Sequence, residues 1–553
     1  MALIDRRIGL LFAVFLSLLA FAGVRSAWLG TVRADSLKQA AATQQVSEVT
    51  VPAERGSILD RNGVPLAVSE PADDIAATPY LIDDAPATAT KLSKILGEPE
   101  DELLRKLTLK DTGFVYLARG VPAATSEKVK RLEIEGIDFI PTSLRSYPRD
   151  YLASQVLGHV GTEGKGLYGL EYSADDLLHG RDGTRRLTQD AIGQPIGVED
   201  TVPSEPGKDL ELTLDAAIQA KVEAVLSGVG QVYQPKGATA IVMDPDSGEI
   251  LALANWPQIN ANDPAAAPSY ANQNRAVGTT YEPGSTFKAF TVAGALEDGK
   301  VTPETRFDLP PQIQVADRTI GESHPRGYVN LSTAEILAES SNVGAIKIGM
   351  RLGPERFDQW VRRFGFGRPT GADLPGEEMG IVPKPEDYSG SSMGNLPIGQ
   401  GLSVTPLQMA QAYSAIANGG ILRTPHIISA VGGNPVGEPH GKRVISAETA
   451  AQIREMLKGV LGPGGTASEV SVPGYELAGK TGTANKVDPE TGGYSDTMYV
   501  ASFVGFAPAD DPELLCAVMV DEPKGDIYGG SVAAPAFGQI MAFALPYLRI
   551  APK

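Results

Sequence analysis

The chain has one cysteine, Cys516, in 553 residues. That count excludes a disulfide framework, an iron–sulfur cluster and a multi-cysteine zinc site. Histidine is almost as scarce. There are five, none in a His-Glu-x-x-His arrangement, which argues against a zinc hydrolase. Positive charge is in deficit: the formal net charge is −19, the wrong sign for a chain whose main partner is nucleic acid. Long apolar runs are missing beyond the N-terminus. Hydrophobic residues make up 42% and charged residues 21%, a globular balance rather than that of a disordered or multi-span membrane chain. The length suggests roughly three or four domains. Chemistry in such a chain falls to Ser, Thr, Lys, Asp or Glu.

The stretch from Ile8 to Val24 carries no charge and follows Arg6 and Arg7. Ala27, Trp28 and Leu29 extend it past Arg25 to the length of a membrane-spanning helix, longer than the apolar region of most secretory signals. The paired arginines place the N-terminus in the cytoplasm. The expectation is a cytoplasmic tail (1–7) and a single transmembrane anchor (8–29). The rest of the chain would lie on the outer face of the cytoplasmic membrane. A cleaved signal peptide is the alternative, and it exports the same body.

Residues 30–49 are polar and small, as in a linker. Asn62-Gly63 between apolar runs predicts a hairpin, because both residues tolerate positive φ. Residues 91–107 read as helical, and glycine is dense over 158–183. The stretch 50–205 reads as one loop-rich α+β pedestal of extended shape, and 206–553 as a second domain. In the second, Asp215 opens a helix (216–227). Ala238–Met243 and Ile250–Ala254 flank a turn signal, Asp244-Pro245-Asp246-Ser247-Gly248. Thr405-Pro406-Leu407-Gln408 is a capping box with proline at the first helical position, and that helix stops at Asn418-Gly419. Three strand-like runs follow (476–484, 498–506 and 514–520), then a helix (534–548). Strands at both ends of a mostly helical middle predict an α+β fold, one sheet with helices packed on it.

Three motifs compete for the chemistry. In Tyr281-Glu282-Pro283-Gly284-Ser285-Thr286-Phe287-Lys288, Pro-Gly forces a turn and an apolar helix begins at Ser285. Ser285 and Lys288 then share a helix face. Free N–H groups at the first turn favour a developing oxyanion. The hydroxyl needs a base, and a buried lysine can serve if desolvation lowers its pKa. Ser340-Ser341-Asn342 within a helical stretch and Lys480-Thr481-Gly482-Thr483 on a strand complete the pattern. The second motif, Gly474 to Thr481, matches the phosphate loop Gly-x-x-x-x-Gly-Lys-Thr letter for letter. It lacks the helix that must follow, and too little chain remains for the alternating fold that carries such loops. The third, Gly390-Ser391-Ser392-Met393-Gly394, follows a proline-rich loop rather than the strand a nucleophile elbow requires, and only Glu438 before His440 could complete a triad with Ser392.

Ser-x-x-Lys, Ser-x-Asn and Lys-Thr-Gly, in this order, are shared by penicillin-binding proteins and class A β-lactamases. Further runs make the likeness specific. They are Arg55-Gly56-Ser57-Ile58-Leu59-Asp60-Arg61-Asn62-Gly63, Arg145-Ser146-Tyr147-Pro148, Gly166-Leu167-Tyr168-Gly169-Leu170-Glu171 and Gly399-Gln400-Gly401. The chain resembles a class B penicillin-binding protein over almost its whole length, and a septal (division) member more than an elongation member. The resemblance implies an antiparallel sheet packed between helices, as in the penicillin-binding and β-lactamase fold, on a dimerisation-type pedestal.

It also implies a peptidoglycan D,D-transpeptidase acting on stem peptides ending in D-Ala-D-Ala, with β-lactams as covalent inhibitors and no cofactor or metal. Ser285 would be the nucleophile and Lys288 its base. Ser340 would relay a proton, and Asn342 would hold Lys288 and the substrate backbone. Lys480 would supply positive potential, and Thr481 and Thr483 would bind the terminal carboxylate. Gly482 would let substrate lie close. The N–H groups of Ser285 and Thr483 would form the oxyanion hole. Expected partners are a membrane peptidoglycan polymerase and division proteins. Arg55, Asp60, Arg61, Arg145 and Glu171 are expected to form buried ion pairs at the domain junction, with direct partner contact as the alternative.

Other functions share the fold. A β-lactamase would carry a Glu-x-x-Leu-Asn segment after Asn342, which is absent. A penicillin-sensing receptor would need more than residues 1–7 in the cytoplasm. A D,D-carboxypeptidase stays open, because acceptor choice is not legible in sequence. A non-catalytic division scaffold is opposed by the intact Ser285, Lys288 and Lys480.

Overall fold

The computed structural model describes residues 2–34, 46–110, 112–189, 195–437 and 440–552. Residues 35–45 of the expected linker, and Glu438, lie outside the described residues. Contacts divide the chain into two compact units, residues 1–54 with 180–207 and residues 55–179 with 208–553.

In the first unit a helix runs from Ala2 to Thr31. It includes the residues expected to form a tail. An 18-residue window within Arg6–Thr31 has a mean hydropathy of 2.2, and among the described residues this is the one helix long and apolar enough to cross a membrane. Val46–Val51, Gly183–Gln189 and Pro195–Val202 form a three-stranded antiparallel sheet with the second strand central. The end of the expected linker is therefore a strand.

In the second unit, Ile58–Leu59 and Pro65–Ala77 pair around Asn62-Gly63, where Gly63 has φ +76°, as the turn signal predicts. Ile58 also lies parallel to Leu210, and Leu212 pairs with Ile428. A seven-stranded sheet therefore joins residues of the pedestal to residues beyond 205. The stretch 91–107 is not one helix but parts of two, Ala85–Leu96 and Glu100–Leu107. Gly97 takes φ +77° and caps the first, and Pro99 cannot continue it.

Behind these lies a buried charge network. The Arg55 and Arg145 Nε atoms each donate to Glu171 at 2.7 Å, and Arg55 also reaches Asp175 at 2.6 Å. Asp60 and Arg61 depart from expectation. Asp60 is buried but accepts from the backbone N–H groups of Asn62, Val64 and Ala216. Arg61 is part-exposed and reaches Glu249 at 3.4 Å.

The second sheet has five antiparallel strands in the order Ile250–Trp256, Gly237–Met243, Leu514–Asp521, Tyr494–Ala507, Ala478–Val487. Every residue of 237–243 and 514–521 is buried, because both faces of the sheet are covered. Helices Ala216–Tyr233 and Gly529–Tyr547 pack on each other and on the sheet, and Phe503 and Phe537 meet with ring centroids 4.7 Å apart. Helix Pro406–Ala417 has the expected capping box, is buried along its length and also packs on the sheet. The helix opened by Asp215 runs past 227 to Tyr233. Its glycines do not stop it. Gly230 is needed because a Cβ there would stand 2.2 Å from the Trp256 ring. The last helix begins at Gly529, earlier than expected, with Pro535 inside it.

Candidate active site

Among the described residues the strand Ala478–Val487 has a strand neighbour on one side only, which puts Lys480, Thr481, Gly482 and Thr483 on a sheet edge. Against it packs a single 3₁₀ turn, Gly284–Phe287, followed by the α-helix Lys288–Glu297. Ser285 therefore lies on a tight turn just before the α-helix, not on the helix that its sequence suggests. Gly284 has φ +54°, and a Cβ on it would lie 3.2 Å from the Thr483 carbonyl oxygen. Gly482 meets the same turn from the strand side, where a Cβ would be 2.9 Å from the Pro283 oxygen.

The turn is held from below. The Tyr413 hydroxyl donates to the Thr286 carbonyl at 2.6 Å, and the Thr286 hydroxyl donates to the Pro283 carbonyl at 2.7 Å. Gly284 N–H donates to the Gly399 carbonyl at 3.0 Å. Gly399 must be glycine, since a Cβ would stand 2.2 Å from the Gly284 oxygen. Phe287 and Phe290 anchor the helix in a cluster with Phe364, Phe366 and Tyr413.

Lys288 is 1% exposed. Its Nζ lies 2.6 Å from the Ser340 carbonyl, 2.7 Å from Asn342 Oδ1 and 3.2 Å from Ser340 Oγ. Burial pushes its pKa down to about 7, with Glu322 opposing and Arg326 reinforcing the shift. Ser340-Ser341-Asn342 is not inside a helix. It is the junction between helices Thr333–Ala338 and Asn342–Leu352, and Ser341 caps the second by accepting from Gly344 N–H. Ser340 has φ +61°, a left-handed conformation that costs a non-glycine residue about 1–2 kcal/mol. In this conformation both its carbonyl and its hydroxyl lie within reach of Lys288.

Lys480 is fully buried, and among the described residues its Nζ reaches only Thr481, at 3.4 Å. Burial, and then the neighbouring Lys288, push its pKa well below the ordinary lysine value. The Thr481 hydroxyl meets that of Thr466 at 2.6 Å, and Thr483 Oγ1 accepts from Gly529 N–H at 3.0 Å. Among the described residues no hydrogen bond ties the Ser285 hydroxyl.

The structure thus gathers the eight sequence candidates around the Ser285 turn and the strand beside it. Lys288, Ser340 and Asn342 are directly bonded, Gly482 and Thr483 pack on the Ser285 turn, and Lys480 feels the charge of Lys288. Sequence reasoning missed Glu322, Thr466 and Gly529. A Cβ on Gly529 would lie 2.3 Å from the Gly482 oxygen, but Gly529 shows no local signal. The competing motifs lack their settings. Lys480-Thr481 continues as strand to Val487, with no helix after it. Ser392 starts a short helix, Ser392–Asn395, with no strand before it.

A hydroxyl on a rigid turn, a buried lysine of lowered pKa nearby and an open strand edge together suit serine acyl transfer. The family comparisons agree. Residues 238–542 match the model of the penicillin binding protein transpeptidase domain, and residues 50–212 that of the penicillin-binding protein dimerisation domain. The chain belongs to the class B penicillin-binding proteins, serine-type transpeptidases that join these two domains. Stage V sporulation protein D of Bacillus subtilis is 38% identical over 90% of this chain and 79% of its own length. Peptidoglycan D,D-transpeptidase FtsI of Escherichia coli is 33% identical over 99% and 93%. The crystal structure of penicillin binding protein 3 from Mycobacterium tuberculosis complexed with aztreonam matches with a TM-score of 0.72 and 31% identity, over 91% of this chain and 98% of that one.

Proposed function

We propose that this transpeptidase cross-links peptidoglycan stem peptides ending in D-Ala-D-Ala, with Ser285 as nucleophile, and that it serves septal wall synthesis. The observation that carries the chemistry is Lys288, buried without a carboxylate partner, held by Ser340 and Asn342, one turn from Ser285. A neutral Lys288 donates to the Ser340 carbonyl and to Asn342 Oδ1, which leaves its lone pair for the Ser285 proton. It takes the proton of Ser285 Oγ as that oxygen attacks the penultimate D-Ala carbonyl. The N–H groups of Ser285 and Thr483 receive the oxyanion. The C–N bond breaks, and the proton passes through Ser340 to the departing D-Ala amine. An amine of a second stem peptide then attacks the ester, loses its proton to the same relay and releases Ser285. Thr481, Thr483 and Lys480 bind the terminal carboxylate. An arriving anion favours the charged form of Lys480, which burial alone disfavours.

The division role rests on similarity to FtsI and on the Arg145 and Ser285 motifs. Residues 50–205 act as the pedestal and 206–553 as the catalytic domain. The apolar helix acts as the single anchor and leaves the catalytic body outside the cytoplasmic membrane, with Arg6 and Arg7 as the inner anchor point. A membrane polymerase and division proteins are the partners of the anchor and pedestal. The test is the intact mass of the full-length protein in detergent after benzylpenicillin, beside Ser285→Ala. A one-drug adduct on the wild type, absent from the variant, is expected. Hydrolysis of the drug without a lasting adduct would point instead to a β-lactamase. An adduct that persists in Ser285→Ala would remove Ser285 as nucleophile.

A further inference from the structure

Glu322 is nearly buried on the loop that follows the hairpin Gln312–Val315 and Arg318–Gly321, outside the family motifs named above. Its two carboxylate oxygens are both occupied by the motif junction. Oε1 accepts from the Ser341 hydroxyl at 2.6 Å, and Oε2 accepts from Asn342 N–H at 2.6 Å. The same loop grips Asn342 once more, through Nδ2 donating to the Gly321 carbonyl at 3.0 Å. Asn342 Oδ1 is thereby left facing Lys288 Nζ. An amide can present its oxygen or its NH₂ group, and the Gly321 carbonyl accepts only from the NH₂. The loop therefore selects the orientation in which Asn342 can hold the lysine.

We propose that Glu322 is a positioning residue for acyl transfer: it fixes Ser340-Ser341-Asn342 in the conformation that holds Lys288, and its charge sets the pH range in which Lys288 accepts a proton. The proposal rests on Lys288 as the base. The charges facing Lys288 come from two elements. The loop supplies Glu322 and Arg326, and the edge strand supplies Lys480. Arg326 pairs with Glu322 at 2.8 Å and is shared with Glu339 at 2.9 Å. His324, on the same loop, lies against Tyr528 with ring centroids 5.3 Å apart and reaches none of these groups by hydrogen bond among the described residues. Glu322 favours the charged lysine and Arg326 the neutral one, so the two act with opposite sign.

The experiment is the second-order rate of benzylpenicillin acylation of the full-length protein, measured between about pH 5 and pH 9, for the wild type, Glu322→Gln and Arg326→Gln. The wild type should lose rate on the acid side as Lys288 protonates. Glu322→Gln keeps the shape and an acceptor oxygen but no charge. Its acid limb should move to lower pH by about one unit, the scale of one removed charge near a buried site. Its plateau rate should also fall, because an amide cannot accept from both Ser341 and Asn342 at full strength. Arg326→Gln should move the limb the other way. Its side chain is part-exposed, so it provides a folded variant even if Glu322→Gln is unstable. Limbs that stay at the wild-type position in both variants would overturn the role of Glu322 while leaving Lys288 as base. A wild type with no acid limb would overturn both.

Discussion

Arg55 and Arg145, at one end of the larger unit, are 6% and 9% exposed, and Lys288 and Lys480, in the cleft, are 1% and 0% exposed. The arginines share Glu171, and Arg55 also pairs with Asp175, whereas neither lysine has a carboxylate within salt-bridge distance among the described residues. Both sets are buried, and they differ in their partners. A guanidinium bonded to a buried anion ties segments together: Arg55 also donates to the Gly164 and Glu171 carbonyls, and Arg145 to that of Gly56. A buried cation held only by neutral oxygens is costly in its charged form, and losing the proton relieves that cost. One cluster is a fastener and the other, on the proposed chemistry, a proton acceptor, and their burial alone would not tell them apart.

The largest effect should come from Lys288→Met. Benzylpenicillin acylation should fall by on the order of 10²–10⁴-fold, the usual contribution of a positioned base. The variant should unfold no more easily than the wild type, because a lone buried charge has been removed. Acylation that survives nearly intact would mean that the cleft lysine is only structural.

Glu171→Ala should do the reverse. It strands the buried Arg145 guanidinium, leaves Arg55 with Asp175 alone, and should cost about 3–5 kcal/mol in denaturant unfolding, with the acylation rate of the folded protein unchanged. A loss of acylation without a loss of stability would place the pedestal cluster in the chemistry and erase the contrast. The smallest effect belongs to Arg61→Ala. Its contact with Glu249, at 3.4 Å between groups about a third exposed, should contribute less than about 1 kcal/mol. A larger cost would mean that Arg61 belongs with the buried network after all.

What the sequence made legible follows the range of the interactions involved. Asp215, Thr405 with Gln408, and Asn62-Gly63 act on neighbours a few residues away, and each marks its cap or turn where expected. The apolar runs of the five-stranded sheet are visible because both of its faces are buried. The errors arose where a distant contact overrides local preference. Gly230 stays helical because the Trp256 ring lies against it. Ser340 leaves the helical conformation because Ser341 caps a new helix and Glu322 holds that cap. Glu322 itself was not legible: nothing in Gly321-Glu322-Ser323-His324 announces a contact with residues 341 and 342.

The last strand of the five-stranded sheet, Ala478–Val487, keeps one side without a partner. An unpaired edge reads an extended backbone and is largely indifferent to the side chains it carries. On the proposed chemistry, the groove open to a stem peptide is equally open to a drug that imitates its backbone. A substitution that closed the edge would exclude both and end the enzyme's own work. On the same chemistry, a change that spares the peptide and excludes the drug has to act beside the strand rather than on its backbone.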